Sequence, residues 1–254
     1  MSKNKGKIAV ITGATGGIGF AVARRLGQDG FTVVLNGIED EAGAKRVQEL
    51  TSEGITAEYL GFDVTKEDAV TSNIKAIGEK YGKIDVLVNN AGGLGGRSRF
   101  EEMTTEFYRF VMALNLDSVF FASRAAIPFL KKGDNPTIIN YTSNAGWNAG
   151  GPGAGIYGTS KAGVHTITRA LAKDLAEYGI RVNAVSPGTI DTPFHQQIKS
   201  TKPEVFASWA NNIMLGRLGQ PDDVAGVVSF LASKDASFLT AETIQVGGGQ
   251  ALGI

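Results

Sequence analysis

The chain has 254 residues, of which 43% are hydrophobic and 20% are charged, enough apolar material for a large α/β domain with a buried core. Lysine plus arginine and aspartate plus glutamate each number 25, so the net charge is zero and no basic surplus favours nucleic acid or an anionic membrane surface. There is no cysteine, which excludes disulfides, thiolate metal sites and a cysteine nucleophile and suits a reducing cytoplasm.

Short apolar, β-branched runs alternate with longer segments of helical periodicity along the chain. The runs predict seven strands at KIAVIT, FTVVLN, TAEYLGF, IDVLVNN, PTIINYT, IRVNAVS and ETIQVGG. Between them, the periodicity predicts helices at about 18–29, 40–53, 66–80, 104–131, 156–178 and 221–233. Several strands are apolar throughout, which indicates a parallel sheet covered on both faces. We therefore predict an α/β fold with a doubly wound, seven-stranded parallel sheet, formed by residues 1–254 as a single domain.

Two segments depart from this regular alternation. Residues 189–216 lie between the sixth strand and the next helix, carry polar and aromatic side chains, and resemble an inserted lid. Residues 146–155 form a glycine-rich stretch. The basic opening MSKNKGK is not followed by a signal-peptide core, and no uncharged apolar run approaches the length of a membrane span. We therefore expect a soluble, cytoplasmic protein that contacts neither membrane nor nucleic acid.

The first predicted strand runs directly into a glycine-rich turn, TGATGGIG, at residues 12–19. Glycine permits positive φ and close approach to the backbone, while free N–H groups at the start of the next helix favour negative charge. In an alternating α/β chain this arrangement indicates a dinucleotide pyrophosphate site, with a plain tight turn as the alternative. The candidate cofactor-binding residues of the turn are Gly13, Thr15, Gly16, Gly17, Ile18 and Gly19.

Later strand ends add further candidates, because ligands of such sheets gather at the carboxyl ends of the strands. Asp63 follows the third strand, where its carboxylate can accept from an adenine amino group or cap the following helix. Asn89 ends the fourth strand, where it can belong to the site or tie neighbouring strands together. The candidate cofactor contacts at these strand ends are Asn36, Gly37, Asp63, Val64, Asn90, Ala91 and Gly92.

Tyr157 and Lys161 lie four residues apart at the start of a predicted helix and so share one face. A phenol titrates near pH 10, but an adjacent ammonium group, with an oxidised nicotinamide nearby, favours the phenolate. Tyr157 can then pass a proton to or from a carbonyl or hydroxyl oxygen while the cofactor carries the hydride. Taken alone, the spacing is more typical of an ordinary surface pair.

Two further residues make the pair more specific. Ser143 follows the fifth strand, 14 residues before Tyr157, where its hydroxyl can hydrogen-bond the substrate oxygen. Asn115 lies on the helix before that strand, where it can hold a water that links Lys161 to solvent. The predicted catalytic set is Asn115, Ser143, Tyr157 and Lys161, and we expect no metal site.

With these motifs in the family's order, followed by RVNAVSPG, the chain resembles the short-chain dehydrogenase/reductase family over nearly its full length. The resemblance implies a Rossmann-type domain, NAD(H) or NADP(H), a Ser–Tyr–Lys–Asn catalytic set and a homotetramer built on long helices. It also implies nicotinamide contacts at Pro187, Gly188, Ile190 and Thr192. The interval from Ser143 to Tyr157 is one residue longer than is common in the family, and we assign the extra residue to the GGPGAG loop.

The choice of cofactor depends on the end of the second strand. Family members that use NAD usually carry Asp there, and those that use NADP usually carry Arg or Lys nearby or inside the glycine turn. Here the strand ends Asn36-Gly37-Ile38-Glu39, with Gly16 where a basic residue would lie in the turn. No cation is in place for a 2′-phosphate and Glu39 would repel one, so we favour NAD(H) slightly over NADP(H).

Three local patterns resemble the bacterial reductases that convert alginate-derived 4-deoxy-L-erythro-5-hexoseulose uronate (DEH) to 2-keto-3-deoxy-gluconate. They are NNAGGLGGR, GGPGAGIYG and SPGTIDTPFH. Such a substrate carries a carboxylate, for which Arg97 is a candidate bidentate anchor. The candidate substrate-contacting residues are Arg97, Tyr141, Trp147, His195 and Gln196.

Other functions share the same core motifs. A 3-oxoacyl-[acyl-carrier-protein] reductase would need a basic patch for its acidic carrier, for which Lys131, Lys132 and Arg169 are a thin candidate. Another alcohol or sugar dehydrogenase of the same family is equally compatible with the motifs. A cofactor-binding sensor without catalysis is a different class, and the presence of both Tyr157 and Lys161 argues against it.

Overall fold

The computed structural model describes residues 4–250, which form one seven-stranded, wholly parallel sheet with helices on both faces. The strands are β1 (Ile8–Ile11), β2 (Thr32–Gly37), β3 (Ala57–Gly61), β4 (Val86–Asn89), β5 (Thr137–Tyr141), β6 (Arg181–Pro187) and β7 (Thr243–Val246). Their order across the sheet is β3-β2-β1-β4-β5-β6-β7. The predicted fold class is therefore confirmed, and every predicted strand is present to within two residues at either end.

Ten α-helices connect and cover the strands within residues 4–250. They are α1 (Gly17–Gln28), α2 (Asp40–Ser52), α3 (Glu67–Tyr81), α4 (Thr105–Met112), α5 (Ser118–Leu130), α6 (Ala145–Asn148), α7 (Gly155–Leu175), α8 (Gln196–Thr201), α9 (Pro203–Ser208) and α10 (Pro221–Ala232). The helix predicted over 104–131 is interrupted by a π-helical turn, Ala113–Asp117, and the one predicted over 156–178 ends in the 3₁₀ turn Ala176–Tyr178.

Successive side chains of each strand point to opposite faces of the sheet, so an apolar core forms on each face. On one face, residues such as Ile11, Leu35 and Val185 pack against the apolar sides of α1 and α10. On the other face, Val10 and Ile138 pack against α3, α5 and α7. Because both faces are buried, the central strands are apolar at successive positions, which explains why their sequences do not alternate.

The order of the strands reverses between β1 and β4. From β1 the chain builds outward to β3, then crosses back and builds outward in the other direction from β4 to β7. The loops that follow β1 and β4 therefore diverge above the sheet and leave a crevice at its carboxyl edge. The glycine turn and Ser143 follow strands at this edge, and Tyr157 lies in the first turn of α7.

One continuous helical stretch, Thr105–Leu130, is long and apolar enough to cross a membrane by length and composition alone. The core helix of a soluble protein passes the same test. In this fold its second half, α5, packs on α3 and against β4 and β5. Its apolar character is therefore explained in part by packing against the sheet.

The segment predicted to form a lid, residues 189–216, is mostly helical. It contains the 3₁₀ turns Pro193–His195 and Trp209–Asn212 with α8 and α9 between them. A salt bridge of 2.5 Å from Lys199 to Asp191 links α8 to the loop after β6. Closure of this segment over a ligand stays a prediction.

Candidate active site

The glycine turn after β1 forms a cradle of backbone at the start of α1. Gly13 and Gly17 have φ values of +63° and +52°, which favour glycine. A Cβ on Gly19 would lie 2.3 Å from the carbonyl oxygen of Gly13, so the turn and the helix can approach this closely only without a side chain. Gly16 precedes α1 without a side-chain cap, which leaves backbone N–H groups at the helix start free to face an anion. This geometry fits a dinucleotide pyrophosphate.

The end of β2 lies beside this turn, and its side chains are already engaged. The Asn36 amide donates to three backbone carbonyl oxygens, the shortest at 2.9 Å to Phe62, and accepts at 3.3 Å from the Gly13 N–H. A Cβ on Gly37 would lie 2.5 Å from the Thr15 methyl group. Asn36 thus shapes the turn through its hydrogen bonds, and Gly37 makes room for Thr15.

Asn89 makes the structural contact that was the alternative to a ligand role, whereas Asp63 does not cap α3, whose N-cap is Lys66. Asp63 accepts from the Thr65 N–H at 2.9 Å and from the Thr65 hydroxyl at 2.8 Å, closing the turn before α3. Asn89 donates to Asn140 on the neighbouring strand at 2.8 Å and to Ser123 at 3.1 Å. Asn89 is a buried tie between β4, β5 and α5.

The loop after β4 is fastened to the glycine turn. The Asn90 side chain donates to the carbonyl oxygens of Thr12 and Gly13, each at 2.9 Å. The backbone N–H groups of Asn90 and Ala91 in turn donate to the Thr12 hydroxyl at 3.1 and 3.0 Å. These four bonds set the separation of the two loops that diverge from β1 and β4.

The four predicted catalytic residues converge at the carboxyl ends of β4 and β5. The Nζ of Lys161 lies 5.9 Å from the centre of the Tyr157 ring and donates at 2.9 Å to the Tyr141 carbonyl oxygen. A Cβ on Gly92 would lie 2.9 Å from that Nζ and 2.7 Å from Asn115 Oδ1, so both side chains meet over this glycine. Ser143 interacts with Tyr157 from the loop after β5.

Burial dominates the electrostatics of the pair. Lys161 is 3% exposed, and loss of hydration lowers the pKa of its ammonium group to about 8. Burial also raises the pKa of Tyr157, and hydrogen bonding by Ser143 opposes that shift. Lys161 donates to a backbone carbonyl, and its charge is not among the causes that shift the pKa of Tyr157 in the chain alone. The lowered pKa expected beside an oxidised nicotinamide stays a prediction.

Asn115 lies on the π-helical turn, fully buried. Its amide donates to the carbonyl oxygens of Gly93 and Val111 at 2.9 and 3.0 Å and accepts at 3.0 Å from the Gly93 N–H. Its side chain thus holds the β4 loop against the helix. A water bound by Asn115 stays a prediction, and the amide would retain only one acceptor lone pair for it.

A cavity of about 690 Å³ connects the glycine turn to these residues. Of the predicted cofactor contacts, it is lined by Gly13, Gly16, Gly17, Ile18, Gly19, Asn90, Gly92, Tyr157, Lys161, Pro187, Gly188, Ile190 and Thr192. Thr15, Asn36, Gly37, Asp63, Val64 and Ala91 do not line it. A volume of this size suits a ligand of cofactor or drug dimensions.

The substrate candidates divide into two groups. Arg97 and His195 line the cavity, with Arg97 donating at 2.9 Å to the Pro152 carbonyl oxygen. Tyr141 also lines it, but its ring belongs to the apolar core and its buried hydroxyl has no partner among residues 4–250.

Trp147 and Gln196 lie outside the lining. Trp147 is 53% exposed and stacks on His165 with ring centres 4.3 Å apart. Gln196 begins α8 as an exposed residue. Because Trp147 packs on His165 and Gln196 is exposed, neither forms part of the cavity wall.

Several cavity-lining residues were missed from the sequence. They include Leu94, Asn144, Asn148, Thr189, Phe194, Trp209, Asn212 and Gln250. Asn144 directly follows Ser143 and could have been found from that adjacency, and Phe194, Trp209 and Asn212 belong to the predicted lid. No local pattern indicates that Gln250, beyond the last strand, returns to the site.

Known proteins are similar to this chain in sequence and in fold. A family model described as enoyl-(acyl carrier protein) reductase matches residues 13–251. An oxidoreductase of Methylorubrum extorquens, named as uncharacterised, is 40% identical and covers 98% of this chain and 99% of its own length. The 3-oxoacyl-[acyl-carrier-protein] reductase of Thermotoga maritima is 38% identical, with 96% of this chain and 98% of its own length covered. The crystal structure of an NADH-dependent reductase, A1-R′, described as responsible for alginate metabolism, superposes with a TM-score of 0.88 at 37% identity and covers 98% and 99% of the two chains.

Proposed function

Because the chain belongs to the short-chain dehydrogenase/reductase family, whose members are NAD(P)-dependent oxidoreductases of CH–OH and carbonyl groups, we propose that it reduces the aldehyde of a small hydroxylated keto acid. The substrate that the sequence patterns favour is the alginate-derived keto-uronate DEH, with 2-keto-3-deoxy-gluconate as the product. The single observation that carries the proposal is the lining of the cavity beside Tyr157. Amide and hydroxyl side chains line this cavity, together with one guanidinium group, that of Arg97.

The proposed chemistry assigns one task to each residue of the site. The bound nicotinamide would supply the hydride. Tyr157 would donate its hydroxyl proton to the substrate oxygen, and the raised pKa keeps this hydroxyl protonated at neutral pH. Ser143 would donate to the same oxygen and orient it. Lys161, with a pKa near 8, would hold positive charge beside the phenol as its proton leaves. Asn115 would hold Gly92 and Gly93 in place around Lys161 through its bonds to Gly93.

The preference for NAD(H) over NADP(H) is part of the proposal. Glu39 and Asp40 are exposed at the end of β2, and their negative charges help to raise the pKa of Tyr59, after the larger effect of burial. Arg46 approaches the turn from α2 but donates to the Thr15 carbonyl at 3.0 Å and pairs with Glu49 at 2.7 Å. A 2′-phosphate bound at the end of β2 would therefore be repelled by the carboxylates of Glu39 and Asp40. The nearby cation, Arg46, is already paired with Glu49.

The Glu39→Gln variant tests this electrostatic account. We expect its affinity for NADPH to rise by about two- to fivefold, since an exposed charge interaction contributes up to about 1 kcal/mol, while NADH affinity stays within twofold, about the error of the method. Isothermal titration calorimetry on the wild type and the variant provides both constants. Glu177→Gln, at the opposite edge of the sheet, is the matched control. Tighter binding of NADPH than of NADH by the wild type would contradict the preference.

The polarity of the cavity supports a hydroxylated, anionic substrate. Its walls carry the amides of Asn144, Asn148 and Asn212, which can both donate to and accept from sugar hydroxyls. The NH1 group of Arg97 is held by the Pro152 carbonyl, which orients the guanidinium and leaves further N–H groups for a carboxylate. A purely apolar chain would leave unsatisfied such atoms as Asn144 Oδ1, which has no hydrogen-bond partner among residues 4–250.

The Arg97→Ala variant tests the carboxylate anchor. We expect kcat/KM for the keto-uronate to fall by about 10- to 100-fold, because a hydrogen bond to a charged group contributes about 1.5–3 kcal/mol. For a neutral aldehyde of similar size, kcat/KM should stay within about twofold. Arg99→Ala, two residues along the same loop and outside the cavity lining, is the matched control. An equal loss with both substrates would reject the anchor.

A 3-oxoacyl-[acyl-carrier-protein] reductase is the second candidate, favoured by the Thermotoga maritima relative. Two of the three basic residues suggested for its acidic carrier lie away from the cavity. Lys131 and Lys132 follow α5 and precede β5, which places them at the amino edge of the sheet, and Lys131 lies over the Tyr178 ring at 3.4 Å. Initial rates of NADH oxidation with the keto-uronate, a 3-oxoacyl thioester and a simple ketone decide between the candidates. A higher kcat/KM for the thioester would overturn the proposal.

The homotetramer and the cytoplasmic location stay predictions. In a homotetramer built on long helices, the exposed aromatic side chains of α4 and α5, Tyr108, Phe110 and Phe120, would be covered by a neighbouring copy. Burial of such aromatic groups would contribute favourably to assembly.

A further inference from the structure

The chain turns sharply after the last strand and re-enters the site. Gly248 and Gly249 have φ values of +59° and +87°, and the Gln250 N–H donates at 3.0 Å to the Gly247 carbonyl oxygen. This turn directs the Gln250 side chain back into the cavity, between the loops that follow β5 and β6. The three consecutive glycines make this reversal possible, because two of the positions require positive φ.

The Gln250 carboxamide is bonded to both loops. Its Oε1 accepts from the Thr189 N–H at 2.8 Å and from Asn144 Nδ2 at 3.4 Å. Its Nε2 donates to the Thr189 hydroxyl at 2.9 Å. A Cβ on Gly188 would lie 2.7 Å from the same Oε1, so the carboxamide occupies space that the absence of a side chain at Gly188 leaves open.

The residues joined in this way flank the proposed reaction centre. Asn144 directly follows Ser143, and its N–H donates at 3.3 Å to the Pro187 carbonyl oxygen. Thr189 lies between Gly188 and Ile190, two proposed nicotinamide contacts. The same glycine turn contacts the end of the predicted lid, where the Leu215 N–H donates at 3.1 Å to the Gly248 carbonyl oxygen and Met214 packs on Gly249.

We propose that Gln250 is a positioning residue, which fixes Ser143 relative to the nicotinamide loop and connects that geometry to the end of the lid through the glycine turn. The inference rests on the proposed function, because it assigns Gln250 a role in the same site. Displacement of Ser143 misplaces the substrate oxygen, and an error of about 1 Å in such a position can cost about 10²-fold in rate. The effect should therefore appear in kcat rather than in substrate binding.

Two substitutions separate this role from simple packing. Gln250→Leu preserves approximate volume and removes every hydrogen bond of the carboxamide, whereas Gln250→Glu keeps an oxygen that accepts from Thr189 and Asn144. We expect Gln250→Leu to lower kcat by about 10- to 100-fold with KM within about threefold, and Gln250→Glu to recover most of kcat. Gln245→Leu, on β7 and outside this cavity lining, is the control. Kinetics use whichever carbonyl compound the wild type reduces fastest, so turnover by the wild type tests the proposed function separately.

Hydrogen exchange followed by mass spectrometry gives a readout that needs no turnover. The Thr189 N–H is protected by Gln250 Oε1, so peptides that cover residues 187–190 should exchange faster in Gln250→Leu and at the wild-type rate in Gln250→Glu. Unchanged exchange in Gln250→Leu, unchanged kcat, or equal loss of kcat in both variants would overturn the proposal.

Discussion

Replacement of Tyr157 by phenylalanine is expected to lower kcat by about 10²- to 10⁴-fold while NADH affinity stays within about threefold of the wild type. Only the phenolic oxygen is removed, and the ring that lines the cavity remains. The hydroxyl is the donor placed beside Ser143 and within reach of the charge on Lys161, so its loss leaves the substrate oxygen without an acid. Steady-state kinetics and calorimetric titration with NADH measure the two quantities.

Tyr141→Phe is the matched control for this change. Tyr141 lines the same cavity, but its buried hydroxyl has no hydrogen-bond partner within residues 4–250. Its removal should leave kcat near the wild-type value and leave stability unchanged or raised, because an unpaired buried polar group is lost. A kcat for Tyr157→Phe close to that of Tyr141→Phe would reject the acid role. A large loss of kcat in Tyr141→Phe would restore Tyr141 as a substrate contact.

Replacement of Lys161 by methionine is expected to abolish most activity and, at pH 7, to stabilise the ligand-free protein. Burial lowers the pKa of this ammonium group from 10.5 to about 8. A shift of that size corresponds to about 3 kcal/mol of unfavourable free energy for charging the group in the folded state, partly offset by its hydrogen bond to the Tyr141 carbonyl. Methionine has similar length and needs no hydration.

The stability of the wild type relative to Lys161→Met should increase as the pH rises. The folded protein binds the proton more weakly than the unfolded chain, so the penalty is fully present below pH 8 and is relieved as the pH rises from about 8 towards 10.5. The free energy of unfolding of the wild type should therefore rise relative to that of Lys161→Met over this window, as measured by denaturant titration at pH 7 and pH 10. Lys173 is exposed on the same helix, so the free energy of unfolding of Lys173→Met should not change relative to the wild type between pH 7 and pH 10. A difference between Lys161→Met and the wild type that is independent of pH would contradict the buried charge.

Regular periodicity made the strands and helices predictable, because burial on both faces of a parallel sheet leaves a strong signal in each segment. The same reasoning found the cradle, since Gly13 and Gly17 need the positive φ that only glycine adopts readily. It located Ser143, Tyr157 and Lys161 because each lies at a strand end or on the first turns of a helix. The π-helical turn around Asn115 left no recognisable pattern, and the periodicity predicted a continuous helix there.

Side-chain hydrogen bonds were the least predictable feature. Asn36 and Asp63 were proposed as cofactor contacts by position, but the Asn36 amide and one carboxylate oxygen of Asp63 already bond to backbone and hydroxyl groups. The pKa of Tyr157 depends on competition between burial and the hydrogen bond with Ser143, and the sequence does not reveal that the Tyr141 carbonyl oxygen accepts a hydrogen bond from Lys161. Gln250 reaches the cavity through tertiary structure alone.

The cavity wall is assembled from loops that follow β1, β4, β5 and β6, together with the turn after β7. Loop-closure entropy disfavours contacts between segments so far apart in the chain until most of the sheet has formed. A chain synthesised from its N-terminus can complete β1 and its glycine turn long before the turn after β7 exists. The cavity wall can therefore be completed only after β7 has been made and has joined the sheet.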